Sequence, residues 1–353
     1  MKKIFIIIPS FEMTGPIKGA IALANSLVIK RDVTLITVKN ISDGTSNIND
    51  AVKIVNLEDH TSNYLKKIIL YRNILKNAGE KNQIASISML FSADFINIFC
   101  NKYALICSSV RGNLIKIYRM DYGILGLPLA VIHLVSLRKF NKIASMSSEM
   151  AKQIKFFSKK DSSIIGNFID ETLLQQYKIL HSNAKFDTFY FVFVGSISHR
   201  KNPLLLLNAI SKLKQSGFNI YLEMVGDGHL MPSVIDEIKR LDIQDTVKVH
   251  GHLDNPYKVL AKSHCFILPS YSEGTPRASL EALYIGLPCI MRNVDGNSEL
   301  IKDGINGFLF SNDDELPNAM IKAMSFKNNN KSLLPEFYSQ AISSKKYLNL
   351  IES

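Results

Sequence analysis

At 353 residues the chain is longer than one hydrophobic core usually supports, so two domains of ordinary size are expected. A hydrophobic share of 46% with 21% charged residues excludes collagen-like, low-complexity and disordered classes. The formal charge of +11 is one-sided: residues 1–165 carry 23 Lys and Arg against 11 Asp and Glu, the remainder 19 against 20, and no nucleic-acid motif accompanies the basic half.

Lys2 and Lys3 before Ile4–Ile8 look like the opening of a signal peptide, but Pro9 ends the apolar run too early, so it reads as a buried first strand. A helical pattern over Ile17–Ile29 and a strand pattern over Val33–Val38 follow. The longest apolar stretch, Tyr122–Leu137, is punctuated by Gly123, Gly126, Pro128 and His133 and falls short of the roughly 20 residues a spanning helix needs, so no transmembrane helix is expected. Cys100, Cys107, Cys265 and Cys289 lack paired spacing and read as reduced core thiols of a cytoplasmic protein. A polar stretch, Ile169–Asp187, separates this series from a second one: Phe189–Val194, Leu204–Leu213, Ile220–Val225 and Pro232–Leu241. Short β-rich runs alternating with amphipathic helices signal βαβ units on parallel sheets. The domains are therefore placed at 1–168 and 187–330, with a helical tail over 331–353 that is able to pack back on the first domain.

In open parallel sheets ligands bind where strands hand over to helices at their carboxyl ends. The segment Ser270-Tyr271-Ser272-Glu273-Gly274-Thr275-Pro276-Arg277-Ala278-Ser279-Leu280-Glu281 follows the apolar run Cys265–Leu268. Thr275 is suited to cap a helix and Pro276 to occupy its first position. A helix start presents unpaired N–H groups and partial positive charge, a seat for a diphosphate. Glu273 stands before that seat, and Glu281, about a turn and a half in, leans back toward it. Two acceptor-only carboxylates suit sugar hydroxyls, though spacing alone leaves two ordinary surface glutamates as an open reading.

With Gly286-Leu287-Pro288 and Asn297-Ser298-Glu299-Leu300-Ile301-Lys302-Asp303-Gly304-Ile305-Asn306-Gly307 added, the segment resembles the signature of the family-four retaining glycosyltransferases. The resemblance implies two Rossmann-like α/β domains facing across a cleft, the GT-B arrangement. It also implies a nucleoside-diphosphate sugar, UDP- or GDP-linked, as donor substrate with no separate cofactor. By the same resemblance Glu281 holds the ribose hydroxyls, Glu273 contacts the transferred sugar, and backbone N–H groups of Gly274 and Thr275 meet sugar or phosphate oxygens. Val194-Gly195-Ser196-Ile197-Ser198-His199-Arg200-Lys201 resembles the family's diphosphate loop. Lys201 occupies the family's lysine position and offsets the leaving diphosphate, while Ser196 replaces the usual arginine and Arg200 is the compensating cation. Gly226, after Val225, and His250, after Val249, resemble loops beside the nucleotide base, although a turn and a structural histidine explain them equally well.

In the first domain Gly15, in Ser10-Phe11-Glu12-Met13-Thr14-Gly15-Pro16, keeps one of the family's paired glycines. Where the family often has a histidine the chain reads Ile106-Cys107-Ser108-Ser109-Val110-Arg111, and Arg111 is the substitute candidate for phosphate or sugar oxygens. No Asp-x-Asp and no His/Cys cluster of metal-ligand spacing occurs, so a catalytic metal is not expected. The resemblance implies transfer of a hexose or N-acetylhexosamine to a glycan acceptor. With the basic first half, a lipid-linked oligosaccharide in bacterial O-antigen or capsule synthesis is the expected acceptor. An anionic surface, the inner face of the cytoplasmic membrane, is then the expected location for a peripheral protein, and nucleic acid is not an expected partner. A non-catalytic nucleotide-sugar-binding or scaffolding protein of the same fold stays open. A dehydrogenase is excluded for want of G-x-G-x-x-G after the first strand.

Overall fold

The computed structural model describes residues 3–12, 14–40, 48–182, 188–294, 296–327 and 331–353; Met13 of the first loop, Lys2 and part of the interdomain stretch lie outside them. The chain divides into two units, one of residues 1–169 with 337–353 and one of residues 170–336.

The first unit runs β1 (Lys3–Ile8), α1 (Gly15–Leu27), β2 (Val33–Thr37), β3 (Lys53–Asn56), α2 (Tyr64–Ala78), β4 (Ile84–Met89), α3 (Phe91–Asn97), β5 (Leu105–Ser109), α4 (Leu114–Tyr122), α5 (Gly126–Ser136), β6 (Lys142–Ser145), α6 (Ser148–Ser158) and β7 (Ser163–Ile164). Among the described residues these strands form a parallel sheet in the order β3-β2-β1-β4-β5-β6-β7. The order reverses direction between β1 and β4, the topological switch point at which such sheets bind ligands. Period-two alternation sends Ile4, Ile6 and Ile8 to one face, where they pack with α1, and Phe5 and Ile7 to the other, against the layer holding Tyr71, Ile96 and Leu134.

The second unit runs α7 (Glu171–Ser182), β8 (Phe189–Val194), α8 (Pro203–Gln215), β9 (Ile220–Val225), α9 (Met231–Arg240), β10 (Val247–Val249), α10 (Tyr257–Leu260), β11 (Cys265–Leu268), α11 (Arg277–Ile285), β12 (Cys289–Arg292), α12 (Asn297–Leu300), β13 (Gly307–Phe310) and α13 (Leu316–Met324). Its parallel sheet has the order β10-β9-β8-β11-β12-β13, with the switch point between β8 and β11. The division falls between Ile169 and Asp170, so α7 belongs to the second unit.

The chain ends in α14 (Gln340–Glu352), which belongs to the first unit. Tyr347 is fully buried in the cluster around α1 and shares a 2.7 Å hydrogen bond with the Ser109 hydroxyl. Ser26 donates to Ser344 at 2.7 Å, and Arg31 pairs with Glu352 at 2.7 Å. Residues 331–336 remain with the second unit. All four cysteines are buried and free, and burial pushes the Cys100 thiol up to about 12.

The run Leu114–Lys139 has the length and apolarity of a membrane-crossing helix, with mean hydropathy 1.6 over its most apolar window. It is not one rod. Tyr118 on α4 hydrogen-bonds the His133 ring on α5 at 3.1 Å, whereas fifteen residues of straight helix would separate them by about 22 Å. The run folds back at Gly123, whose φ of +61° is left-handed, and at Gly126, where any Cβ would lie 1.9 Å from the Tyr118 carbonyl oxygen.

Candidate functional site

At the second unit's switch point the loops after β8 and β11 meet. Lys201 donates from Nζ to Glu273 Oε1 at 2.6 Å, and Arg200 donates to the same oxygen at 3.1 Å and to the Ser272 carbonyl at 3.0 Å. The Tyr271 amide closes the pair of loops by donating to the Arg200 carbonyl at 2.9 Å. Glu273 is only 7% exposed. Its burial favours the neutral acid, but Lys201 and Arg200 outweigh that and hold its carboxyl below the ordinary value. Burial also lowers Lys201, with Glu273 pulling the other way and Arg200 adding to the fall. Its ammonium is therefore less costly to discharge than that of a solvated lysine.

Further along the same strand-to-helix junction, Glu281 is 5% exposed on the buried side of α11. Its Oε1 accepts from Arg277 Nε at 2.9 Å, an i to i+4 pair along the helix, and from the Tyr257 hydroxyl at 3.2 Å. Burial and the carboxylate together push the Tyr257 phenol well up, which keeps it a donor. Counted over this strand-to-helix junction, three cations (Arg200, Lys201, Arg277) face two carboxylates. That surplus suits an anionic ligand with hydroxyls.

The helix start is shifted by one residue from its expected place. Pro276 is the N-cap, extended at φ −69° and ψ 122°, with no side-chain cap, and α11 begins at Arg277. The Pro276 carbonyl already accepts from Ser279 at 3.1 Å and Leu280 at 3.3 Å, so proline serves as the half-in residue and the buried Thr275 side chain does not cap. Gly274 lies partly buried in the turn between Glu273 and Thr275.

The loops beside this junction interlock through backbone. Gly195 N–H donates to Val225 O at 3.0 Å, and Gly226 N–H donates to Gly251 O at 2.8 Å. Gly226 sits at φ +142°, and a Cβ there would stand 1.8 Å from the Gly195 carbonyl oxygen. Only glycine meets both demands. Ser196 is exposed, 3.2 Å from the Ser198 hydroxyl, and brings no charge; Arg200 is the second cation of this loop. His250 is tied to the Glu223 carboxylate through Nε2 and to the Met224 carbonyl through its backbone, which orients the end of β10.

In the first unit Gly15 opens α1 with no side-chain cap from Thr14 and with nothing within 4 Å of the position a Cβ would take. Arg111, just after β5, donates to Asn167 Oδ1 at 3.5 Å and to the Met89 sulfur, Sδ, at 3.1 Å, while its Nε is buried without an acceptor. Its guanidinium lies beside Gly19 of α1. Arg111 and the start of α1 thus share the first sheet's carboxyl end.

Several polar residues of these sheet ends escape sequence reading. Asp94, buried on α3, accepts from Ser88 at 2.6 Å and Ser108 at 2.9 Å and contacts His133 Nε2 at 2.9 Å. The available signal is the pair Ser86 and Ser88 inside an otherwise apolar strand, since buried hydroxyls need partners. In the second unit Arg292, buried at the end of β12, lies between the Tyr271 and Phe310 rings at 5.0 and 4.9 Å and pairs with Asp313 at 2.5 Å. It props the β11 loop through the Pro269 carbonyl. Tyr257 is likewise visible only in three dimensions, whereas the signal for Arg277 is its i to i+4 spacing from Glu281.

Comparison with known proteins bears on the same residues. Residues 178–336 match the family model described as glycosyl transferases group 1. An Escherichia coli UDP-Gal:alpha-D-GlcNAc-diphosphoundecaprenol alpha-1,3-galactosyltransferase is 33% identical over 148 residues, 40% of this chain and 38% of that protein. A Campylobacter jejuni GalNAc-alpha-(1->4)-GalNAc-alpha-(1->3)-diNAcBac-PP-undecaprenol alpha-1,4-N-acetyl-D-galactosaminyltransferase is 26% identical over 363 residues, 97% of this chain and 93% of its own. The chain spans less than half the length of the Escherichia coli, Methanocaldococcus jannaschii and Staphylococcus aureus relatives it matches. Among solved structures, Staphylococcus aureus TarM in complex with Fondaparinux, alpha-GlcNAc-glycerol and UDP superposes with TM-score 0.77 at 13% identity, covering 100% of both chains. The apo lipopolysaccharide outer core galactosyltransferase WaaB does so with TM-score 0.72 at 18% identity, covering 99% of both. The chain has the two parallel-sheet units of the GT-B fold, and residues 178–336, the part similar to glycosyl transferases group 1, contain both buried glutamates and their cations.

Proposed function

We propose that the protein is a glycosyltransferase that moves a hexose or N-acetylhexosamine from a UDP- or GDP-linked donor to a lipid-linked glycan, in bacterial O-antigen or capsule assembly, with retention at the anomeric carbon. The observation that carries the reading is the convergence of Lys201 and Arg200 on Glu273 at the second unit's switch point. Glu281, braced by Arg277 and Tyr257, takes the ribose hydroxyls; Glu273 takes hydroxyls of the transferred sugar; Lys201, Arg200 and the start of α11 take the diphosphate. Loops of the first unit, with Gly15 and Arg111, receive the acceptor. In the reaction the bond from C1 of the sugar to the β-phosphate oxygen breaks and a bond from the acceptor hydroxyl oxygen to C1 forms. The hydroxyl proton leaves with the nucleoside diphosphate. Charge building on the leaving diphosphate is met by cations already held in place, the largest usual source of rate enhancement. Support for a lipid-diphosphate acceptor comes from the relatives whose names specify undecaprenol-linked substrates.

The test is a thermal-shift screen of nucleotide sugars followed by transfer to undecaprenyl-diphosphate-linked acceptors. A ligand that binds only the folded state at 100 times its Kd adds about 2.7 kcal/mol of stability. One donor class is expected to raise the midpoint and to support transfer. Absence of a shift with every donor overturns the donor site. A shift without transfer favours the scaffolding reading, which Ser196 and Arg111, at positions where the resemblance leads one to expect arginine and histidine, keep alive.

A further inference from the structure

Helix α5 is apolar all round: among its eleven residues, Gly-Leu-Pro-Leu-Ala-Val-Ile-His-Leu-Val-Ser, only His133 and the terminal Ser136 are polar, and His133 is buried. Gly126, Ala130, His133 and Leu134 form the inward stripe. The opposite face, with Leu129, Val131, Ile132 and Val135, is exposed. A helix whose outward face carries no charge is ordinarily covered by protein or by lipid. The turn that joins it to α4 is more exposed still, with Ile124 at 81% and Leu125 at 73%.

The apolar surface continues beyond the hairpin. Phe91 on α3 packs edge-on against Tyr118 of α4 and against the His133 ring, and a chain of ring contacts runs on through Phe95 to Phe99. All three phenylalanines are exposed. The charge on this face has one dominant sign. Residues 114–139 contain Lys116, Arg119, Arg138 and Lys139 against Asp121 alone, and Lys139 lies over the Phe99 ring at 5.8 Å. Lys116 also pairs at 3.4 Å with Glu149 of α6. Neither limb of the hairpin, of nine and eleven residues, approaches the roughly 20 needed to span a bilayer. An apolar tip with tyrosine and phenylalanine beside it and basic residues behind it has the make-up of a segment that lies in a lipid interface.

We propose that the α4–α5 hairpin and the exposed edge of α3 are a membrane-docking surface for an anionic bilayer, with Ile124 and Leu125 entering the acyl boundary and the Lys and Arg residues meeting the headgroups. Charge complementarity selects this occupant: a second copy would bring the same positive charges face to face. The Tyr118–His133–Asp94 hydrogen bonds hold the hairpin's shape by tying both limbs to α3, whose Asp94 accepts from Ser88 and Ser108 of the sheet. The docking inference deepens the proposed function, resting on it only for the sense of carrying a first unit to a lipid-linked acceptor.

The chain contains no tryptophan, so I124W gives a single reporter in the full-length protein. With vesicles containing phosphatidylglycerol, its emission is expected to shift to the blue and to be quenched by brominated lipid. With phosphatidylcholine vesicles, or in high salt, both signals should weaken. The triple variant I124S/L125S/I132S should lower partition onto anionic vesicles by at least about tenfold, each lost side chain removing one unit of apolar transfer. Its circular dichroism and its donor thermal shift, which reads the second unit, should be unchanged. Unshifted emission, or a triple variant that partitions like the parent, overturns the inference. Concentration-dependent association without lipid, relieved by the triple variant, also overturns it by making a second copy the occupant. Vesicle binding without any donor shift counts against the proposed function and leaves the docking surface standing.

Discussion

The carboxyl end of the second sheet holds two nearly buried glutamates, Glu273 gripped by Lys201 and Arg200 from another loop and Glu281 by Arg277 of its own helix, while the equivalent end of the first sheet offers Arg111 with weak partners and an open start to α1. The difference matches the tasks that the proposed reaction assigns to each end. A nucleoside diphosphate is small, highly charged and constant, so its seat is best built in advance, with charges fixed and water partly excluded. A glycan acceptor is large and variable, and groups that meet it gain from retaining free hydrogen-bonding capacity. The buried polar network of Asp94, Ser88, Ser108 and His133 in the first unit is satisfied internally and holds helices to the sheet.

The largest expected effects fall on the second unit. Glu273→Ala strands Lys201 and Arg200 around an empty site, and removal of one partner from a buried pair costs about 3–5 kcal/mol, readable by urea unfolding. Lys201→Ala leaves Glu273 paired with Arg200 and so spares more stability, but should lower kcat by about 10²–10³ as leaving-group charge goes uncompensated. A Lys201→Ala enzyme with unchanged kcat would erase the distinction between the two sheet ends.

Two glycines give a sharper, smaller contrast. Gly226→Ala forces a Cβ to within 1.8 Å of the Gly195 carbonyl at a left-handed φ, and the loops after β8 and β9 must part; a loss of about 1–3 kcal/mol in unfolding free energy is expected, with weaker donor binding. Gly15→Ala meets nothing and sits at a helix start, so stability should hold or rise by about 0.5–1 kcal/mol. If its transfer rate nonetheless falls, backbone approach by a substrate at Gly15 is the cause, since the fold has been left intact.

Much of this contrast was legible before the fold. The strands over Phe189–Val194, Ile220–Val225 and Cys265–Leu268 occur where alternation and β-branched content put them, because buried parallel strands leave continuous apolar runs. The Glu273 and Glu281 segment could be placed on its strand-to-helix junction for the same reason. What stayed hidden are the partners. Lys201 meets Glu273 from 72 residues away, and Tyr257 meets Glu281 from 24, distances over which local pattern says nothing. The start of α11 at Arg277 was missed because a Thr-Pro pair suits a cap at either residue. The α4–α5 hairpin was visible only as an apolar run interrupted by glycine, since composition does not say whether Gly123 and Gly126 bend a chain or reverse it.

Acid should weaken the second unit through Glu273. The folded-state value of Glu273 is lowered, so the unfolded chain takes up its proton earlier as pH falls, and the stabilisation present above the ordinary carboxylate value is lost on the way down through the folded one. Unfolding free energy should therefore decline below about pH 5. Glu273→Gln should remove this part of the decline. A decline of equal slope in that variant would assign the acid sensitivity to other carboxylates.

Arg111 is where the smallest effect is expected and where the comparison is most exposed. Its guanidinium is held at 3.5 Å by Asn167 and 3.1 Å by the Met89 sulfur, so truncation to alanine forfeits little native hydrogen bonding and should cost no more than about 1 kcal/mol of stability. If Arg111 meets acceptor oxygens, Arg111→Ala should lower kcat/KM for the acceptor by roughly tenfold while leaving the donor thermal shift unchanged. Arg111→Lys should recover only part of the loss, because a single ammonium cannot reproduce the planar fork. Equal losses in donor and acceptor constants would place Arg111 with the donor charges, and the division of labour between the two sheet ends would then have to be redrawn around it.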